Sequence, residues 1–178
     1  MAAVVLTLTA VADLDKALQV NPYLAPAYNN RAHIRIKAGD TASALADLNA
    51  GLRVAPDRPE LLCNRARVFL MLSDPDSALR DADEAIRHSP GFPIAWLQRG
   101  SARHLRGELQ TALDDYAQAL ACDPRCADAH LNRGTVFRAM KRFPEAVDAF
   151  ESALRVAPRT WDYRGLAQQG LEMARAGM

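Results

Sequence analysis

The chain has 178 residues, of which 49% are hydrophobic and 24% are charged, a composition typical of a globular domain with a hydrophobic core. Its 22 Lys and Arg residues nearly balance its 21 Asp and Glu residues, which excludes the positive excess that binds a nucleic-acid backbone or an anionic membrane surface. Cys63, Cys122 and Cys126 cannot all pair with one another, which favours a reducing, cytoplasmic setting.

The first predicted element is an apolar helix at the N-terminus. The segment "MAAVVLTLTAVA" has no Lys or Arg ahead of its apolar stretch, and its apolar positions continue in helical register into "DLDKALQV". We interpret it as part of a helix and keep a secretory signal as the minor alternative. The segment is shorter than the roughly 20 apolar residues that a membrane-spanning helix needs.

A proline recurs at intervals of 34 residues along the rest of the chain, at Pro22, Pro56, Pro90, Pro124 and Pro158. Small residues stand at two fixed places before each of these prolines, where they let helix backbones approach closely. Each unit is predicted to hold two helices. The first helix begins near a further proline in several units, and the recurring proline ends the second helix because proline cannot continue one.

The repeated pattern resembles the tetratricopeptide repeat. The resemblance rests on the interval of 34, on Trp96 with Gly100, and on small and aromatic residues at matching places in later units, namely Ala112, Tyr116, Ala119, Ala146, Phe150 and Ala153. It implies an all-α fold, a right-handed superhelical solenoid of antiparallel helix pairs. Residues 1–178 would form a single domain, with a half repeat (1–24), full repeats (25–58, 59–92, 93–126 and 127–160) and a capping helix (161–178).

The half repeat leaves an open question. Leu6, Val11, Leu14 and Leu18 lack the first helix that would normally cover them. Either the native chain begins earlier and this is a fragment, or this face meets a second copy in a homodimer.

An arginine replaces the leucine usual in the first helix of each repeat, and an aspartate recurs in the second helix. Pairing each Asp with the Arg 18 residues later would join successive units and give every charge a partner. The predicted structural ladder comprises Asp13, Arg31, Asp47, Arg65, Asp81, Arg99, Asp115 and Arg133. Pairing within a unit is the alternative, and it leaves Arg133 opposite Ala149. A second alternative is that these arginines bind an acidic ligand.

An amide precedes each of these arginines. The resemblance implies that this position faces the concave groove of the superhelix, where amides can hold the main chain of an extended peptide. The predicted peptide-binding groove comprises Asn29, Asn30, His33, Cys63, Asn64, Arg67, Leu97, Gln98, Ser101, His104, Leu131, Asn132, Thr135 and Arg138. Alternatively, the amides are merely tolerated polar residues. The carboxylate clamp of heat-shock co-chaperones is rejected, since only Asn64 matches it.

Catalytic and metal-binding motifs are not found in the sequence. Cys122 and Cys126 have no second Cys or His pair at zinc-ligand spacing, and the four histidines are scattered among the units. Phosphate-binding glycine loops and nucleophile motifs are lacking. We therefore predict no catalytic residue, no metal and no cofactor, and a scaffold or adaptor with a protein or peptide partner. A self-associating structural protein and the regulatory repeat domain of a larger enzyme remain alternatives.

Overall fold

The computed structural model describes the backbone of residues 2–178 and the side chains of residues 9–178. Within this range the chain forms ten α-helices and no strand, which confirms the predicted all-α repeat architecture. The helices are α1 (Ala2–Val20), α2 (Ala25–Lys37), α3 (Thr41–Val54), α4 (Pro59–Met71), α5 (Pro75–His88), α6 (Pro93–Leu105), α7 (Leu109–Cys122), α8 (Ala127–Ala139), α9 (Phe143–Val156) and α10 (Arg164–Ala176).

The helices belong to two compact units, Met1–Pro90 (the N-terminal unit) and Gly91–Met178 (the C-terminal unit). In the N-terminal unit, α2 packs against α3 and α4 against α5 as helix pairs, and α1 packs against α2. In the C-terminal unit the pairs are α6 with α7 and α8 with α9, and α10 packs against both α9 and α8. Small residues line these contacts, as the periodic sequence predicts.

An aromatic ring in α9 shows how closely the helices of the C-terminal unit approach one another. Phe150 is almost completely buried. A Cβ atom added at Gly134 in α8 would lie 2.8 Å from this ring, and one added at Gly170 in α10 would lie 2.6 Å from it. Phe150 is thus held between two helices that carry glycine at the contact, and this arrangement positions α10 beside α8.

Four first helices end in the same way, with a residue in the left-handed backbone region. The residue is glycine in two cases, Gly39 and Gly107, each with a φ of 78°, and it is Ser73 or Lys141, each with a φ of 58°, in the other two. After α2, the N–H of Asp40 donates to the carbonyl of Arg35 and the N–H of Gly39 to that of Ile36, the pattern of a Schellman cap.

Side-chain contacts define the two ends of the chain. The indole Nε1 of Trp161 donates to Oδ1 of Asp128 over 2.7 Å, which fixes the entry to α10. At the other end, Leu18 of α1 is buried by the chain itself, whereas Val11 and Leu14 are partly exposed. The prediction that all four apolar residues of the half repeat lack a cover is therefore wrong for Leu18, and Leu6 lies outside the described side chains.

Candidate functional site

The recurring arginines of three helix pairs each bind an aspartate on the second helix of the same pair. Arg65 Nε lies 2.7 Å from Asp81 Oδ2, and its Nη2 lies 2.8 Å from Asp81 Oδ1. Arg31 binds Asp47 and Arg99 binds Asp115 in the corresponding way. The three bridges are Arg31–Asp47, Arg65–Asp81 and Arg99–Asp115.

These bridges join residues that are 16 apart within one repeat. The predicted pairing between successive repeats, with residues 18 apart, is therefore wrong. The two antiparallel helices of a pair are in direct contact, and the planar guanidinium meets the carboxylate opposite it with both oxygens. The aspartates are 3%, 6% and 2% exposed at positions 47, 81 and 115. Their hydrogen bonds therefore lie in the interior of each helix pair.

The sequence interpretation missed two further sets of partners. Arg35 and Arg103 donate to the same carboxylates, of Asp47 and Asp115, over 2.6 and 2.8 Å. Arg31 does contact the preceding helix, α1, but it donates to Asp15 there, over 2.5 Å, and Asp13 is exposed. Position 49 repeats this contact, since Asn49 accepts from Arg65 over 2.8 Å. The sequence does contain a signal for these two contacts, because a polar residue, Asn49, stands 34 residues after Asp15.

Arg133 differs from the other three arginines. Ala149 stands where the others have a carboxylate, and among the described residues Arg133 has no ion-pair partner. Its guanidinium carbon lies 5.6 Å from the centre of the Phe137 ring. Burial lowers the pKa of Arg133, in contrast to Arg31, whose pKa is raised chiefly by its hydrogen bond with Asp47. The last helix pair therefore holds a half-buried cation without a counter-ion.

The predicted amides of the N-terminal unit bind each other. Asn64 Nδ2 on α4 donates to Asn29 Oδ1 on α2 over 2.8 Å. Asn30 and His33 are exposed on α2, and Arg67 is half-buried on α4. The pKa of His33 is lowered by partial desolvation of its ring and by the charges of Lys37 and Arg67, although the residue as a whole is exposed. The face shared by α2 and α4 thus carries cationic and amide groups.

The amide of the C-terminal unit belongs to a small polar network. Asn132 Nδ2 on α8 donates to Ser101 Oγ on α6 over 3.1 Å, and the hydroxyl of Tyr116 on α7 donates to the same oxygen over 3.4 Å. Ser101 itself donates to the carbonyl of Leu97 over 2.9 Å. A cavity of about 220 Å³ opens at this network, lined by Ser101, His104, Leu105, Tyr116 and Asn132.

Burial shifts the pKa values of two side chains that line this cavity, His104 and Tyr116. It lowers the pKa of His104, so the imidazole is held in its neutral form. It also raises the pKa of Tyr116, so the phenol remains protonated and can donate. From the sequence we predict only a packing role for Tyr116. Its spacing does not show that its hydroxyl reaches Ser101, the residue to which Asn132 also donates.

A second cavity in the C-terminal unit has a volume of about 270 Å³ and lies between α8, α9 and α10. The residues that line it are Thr135, Arg138, Phe150, Leu166, Gln169, Gly170 and Met173. Thr135 and Arg138 were predicted groove residues. The hydroxyl of Thr135 donates to the carbonyl of Leu131 over 3.1 Å, whereas Nε of Arg138 is buried without a hydrogen-bond partner among the described residues.

The described residues contain neither a metal-binding cluster nor a helix that could span a membrane. No three side chains of His, Cys, Asp or Glu among them are close enough together to ligate a metal ion. None of the helices found in residues 2–178 has both the length and the hydropathy for crossing a bilayer.

The repeats seen in the fold agree with a comparison against known families. The family model described as tetratricopeptide repeat matches three overlapping segments, residues 29–91, 63–125 and 106–163. Together these segments span well over half of the chain. The chain belongs to the tetratricopeptide repeat family. No curated protein is similar enough in sequence to count as a relative.

Solved tetratricopeptide repeat structures have the same fold at low sequence identity. TTC0263, a thermophilic protein of Thermus thermophilus, aligns with a TM-score of 0.82 at 23% identity, over 96% of this chain and 93% of its own. YrrB, described as having an unusual peptide-binding site, aligns at 0.65 and 23%, over 96% and 86%. The first such domain of Spaghetti (RPAP3), solved with the HSP90 peptide SRMEEVD, aligns at 0.60 and 24%, over 65% and 92%.

Three predicted groove positions in these tetratricopeptide repeats are corrected by the structure. Cys63, Leu97 and Leu131 are buried, so their side chains are not available to a ligand. Each precedes the amide by one residue, and this position turns towards the helix-pair interior in all but the first repeat, where Asn29 is partly exposed. Gln98 is also nearly buried, at 9% exposed. The accessible part of the predicted groove is therefore smaller and more polar than expected.

Proposed function

We propose that this tetratricopeptide repeat chain is a non-catalytic scaffold that binds an extended segment of a partner protein. The binding faces are those of the first helices, α2 and α4 in the N-terminal unit and α6, α8 and α10 in the C-terminal unit. One observation carries the proposal. In both units a groove amide is bonded to a polar side chain of the neighbouring first helix, Asn64 to Asn29 and Asn132 to Ser101, on partly exposed faces.

These bonds leave hydrogen-bonding groups for a ligand. A side-chain amide has two N–H donors and one carbonyl acceptor; the bond of Asn64 to Asn29 uses one donor, and the bonds of Asn132 to Ser101 and Tyr116 leave its carbonyl. The remaining donor of Asn64 and the carbonyls of both amides match the carbonyl and N–H groups that an extended peptide presents along its main chain. Because the neighbouring helix already fixes each amide, little side-chain freedom would be lost on binding.

Two structural neighbours support a peptide as the ligand. YrrB is described as having a peptide-binding site, and the RPAP3 domain was solved with a peptide bound. Three thiols without disulfides, Cys63, Cys122 and Cys126, are consistent with our proposal that the chain acts in the reducing cytoplasm.

A peptide-display selection on the full chain tests this function. A library of unstructured peptides is selected on the wild type, and the enriched peptides are measured against Asn64→Ala combined with Asn132→Ala. We expect at least tenfold weaker binding by the double variant, since two amides would no longer hold the peptide main chain. Fluorescence polarisation of labelled peptides gives the dissociation constants.

The matched control removes two amides from a second helix. Gln110→Ala with Gln118→Ala changes the exposed surface of α7 without altering net charge or either amide-bearing face. We expect its affinities to equal those of the wild type. Equal binding by all three proteins would place the peptide elsewhere and contradict the proposed faces.

Self-association is the second candidate function, and the exposed residues near the end of α1 favour it. Val20 is 87% exposed and Tyr23 is 77% exposed, while Val11 and Leu14 remain partly uncovered. Light scattering coupled to gel filtration, over a hundredfold range of concentration, would detect a dimer. If this face forms it, Leu14→Glu should give a monomer at every concentration, whereas Met71→Glu, an exposed residue at the end of α4, should not.

A further inference from the structure

The cavity between α8, α9 and α10 contains an arginine that the fold does not use. Arg138 has no ion-pair or hydrogen-bond partner among the described residues, and its Nε is buried. The buried Nε–H group of Arg138 is costly, because a buried donor without an acceptor loses its hydration with nothing in return. A bound acceptor would remove this cost.

The other arginines of α6, α8 and α10 have different surroundings. Arg99 and Arg103 both bind Asp115, and Arg175 binds Glu151 over 2.7 Å. Arg164 donates from Nη2 to the carbonyl of Ala157 over 2.9 Å, although its Nε, like that of Arg138, is buried without a hydrogen-bond partner among the described residues. Arg133 lacks a carboxylate but does not line the cavity. Among the described arginines of α6, α8 and α10, Arg138 is therefore the one that lines this cavity and has no ion-pair or hydrogen-bond partner.

The seven residues that line the cavity include no acidic side chain. They combine the guanidinium with an apolar surface, since Leu166 is 55% exposed, Met173 is 50% exposed and Phe150 is buried beside them. The complementary ligand carries a carboxylate for Arg138 and an apolar group for Leu166 and Met173.

We infer that this cavity selects an acidic residue and a large aliphatic or aromatic residue, separated by one residue, in the partner segment. Alternate side chains of an extended chain point to the same side, so this spacing directs both into one cavity. The carboxylate binds Arg138, and the apolar side chain packs on Leu166 and Met173. The inference rests on the proposed function and specifies the partner that the C-terminal unit binds.

Peptide display on the full chain provides the test, with labelled peptides of the selected sequences as probes. We expect enrichment of Glu or Asp two positions from Leu, Met or Phe. Arg138→Gln should weaken these peptides about tenfold or more, the loss of a charge-assisted bond. Changing the acidic residue of the peptide to its amide should cost as much, and combining both changes should cost little more.

Arg133→Gln is the matched control, since it removes the same charge from the same helix at a residue that does not line the cavity. Its affinities should stay within twofold of the wild type. Peptides that bind but lack the acidic and apolar pair, or that are indifferent to Arg138→Gln, would overturn this inference and leave the proposed function standing. A chain that enriches no peptide at all would overturn both.

Discussion

The helix pair α4/α5 and the helix pair α8/α9 carry the same arginine at the same place but stabilise it differently. Arg65 meets the buried carboxylate of Asp81, whereas Arg133 has Ala149 at the equivalent position and lies near the Phe137 ring. In the second pair, Phe150 fills the interior against Gly134 and Gly170. The comparison shows that the repeat does not require the ion pair, because apolar packing can hold the helices where the counter-ion is missing.

The largest expected effect comes from removing a carboxylate that two arginines share. Asp115→Ala leaves Arg99 and Arg103 without their buried partner, so we expect the free energy of unfolding to fall by about 3–5 kcal/mol. Urea denaturation followed by circular dichroism measures it. Asp114→Ala, an exposed neighbour, is the control. A loss below about 1 kcal/mol would mean that the bridges contribute little to stability.

The second experiment gives Arg133 the partner it lacks. Ala149→Asp should lower the free energy of unfolding both in the wild-type chain and in Arg133→Leu. The loss should be about 1–3 kcal/mol smaller in the wild-type chain, where Arg133 can pair with the new carboxylate. The steric cost of the new side chain is common to both backgrounds and cancels in the double-mutant cycle. Denaturation of the four proteins gives the coupling energy, and a value near zero would show that position 149 does not meet Arg133.

A third experiment compares the caps of the first helices. Lys141 has a φ of 58°, a left-handed conformation that a side chain disfavours, whereas Gly107 adopts it after α6 with a φ of 78°. Lys141→Gly should therefore stabilise the chain by about 1 kcal/mol. Lys141→Ala is the control for loss of the charge and should give no such gain. Thermal melts with both variants measure the difference.

The smallest effect concerns His130, which lies near Arg133. Its pKa is lowered mainly by burial, and the charges of Arg133 and Arg155 lower it further, against a hydrogen bond to the carbonyl of Pro124 that raises it. Arg133→Leu should thus raise the pKa of His130, as followed by the imidazole resonances in an NMR titration. An unchanged pKa would show that Arg133 is screened from this ring.

The sign of the accompanying stability change follows from proton binding. The folded chain binds a proton at His130 less readily than the unfolded chain, so this residue costs stability as the pH falls from above 6.5 through the lowered pKa of the folded state. In Arg133→Leu the loss between neutral and mildly acidic pH should be smaller than in the wild type. Denaturation at several pH values checks this.

Much of the fold could be predicted because repetition averages out local ambiguity. One proline is a weak signal, but five prolines at the same interval determine where each pair of helices begins and ends. Six residues of the ion pairs were predicted for the same reason, namely Arg31, Asp47, Arg65, Asp81, Arg99 and Asp115. Their partners were not, because an interval of 34 allows each Arg to be matched with an Asp before or after it, and only the packing of the helices decides between them.

Less of the candidate site than of the fold could be predicted from the sequence. The amides Asn64 and Asn132 could be found from their spacing, but a shift of one residue on a helix turns a side chain by about 100°, which is why Cys63 is buried. The unpaired state of Arg138 depends on what three helices bring near it. No pattern in the sequence reports such an absence.

Trp161, whose indole donates to Asp128, is one of two tryptophans that can report on unfolding. Both tryptophans, Trp96 and Trp161, belong to the C-terminal unit, and the N-terminal unit has only tyrosine and phenylalanine. Indole fluorescence therefore reports on one half of the molecule, while helical ellipticity reports on both. Coincident transitions would identify a single cooperative system, and an early or late fluorescence change would resolve the two halves without any label.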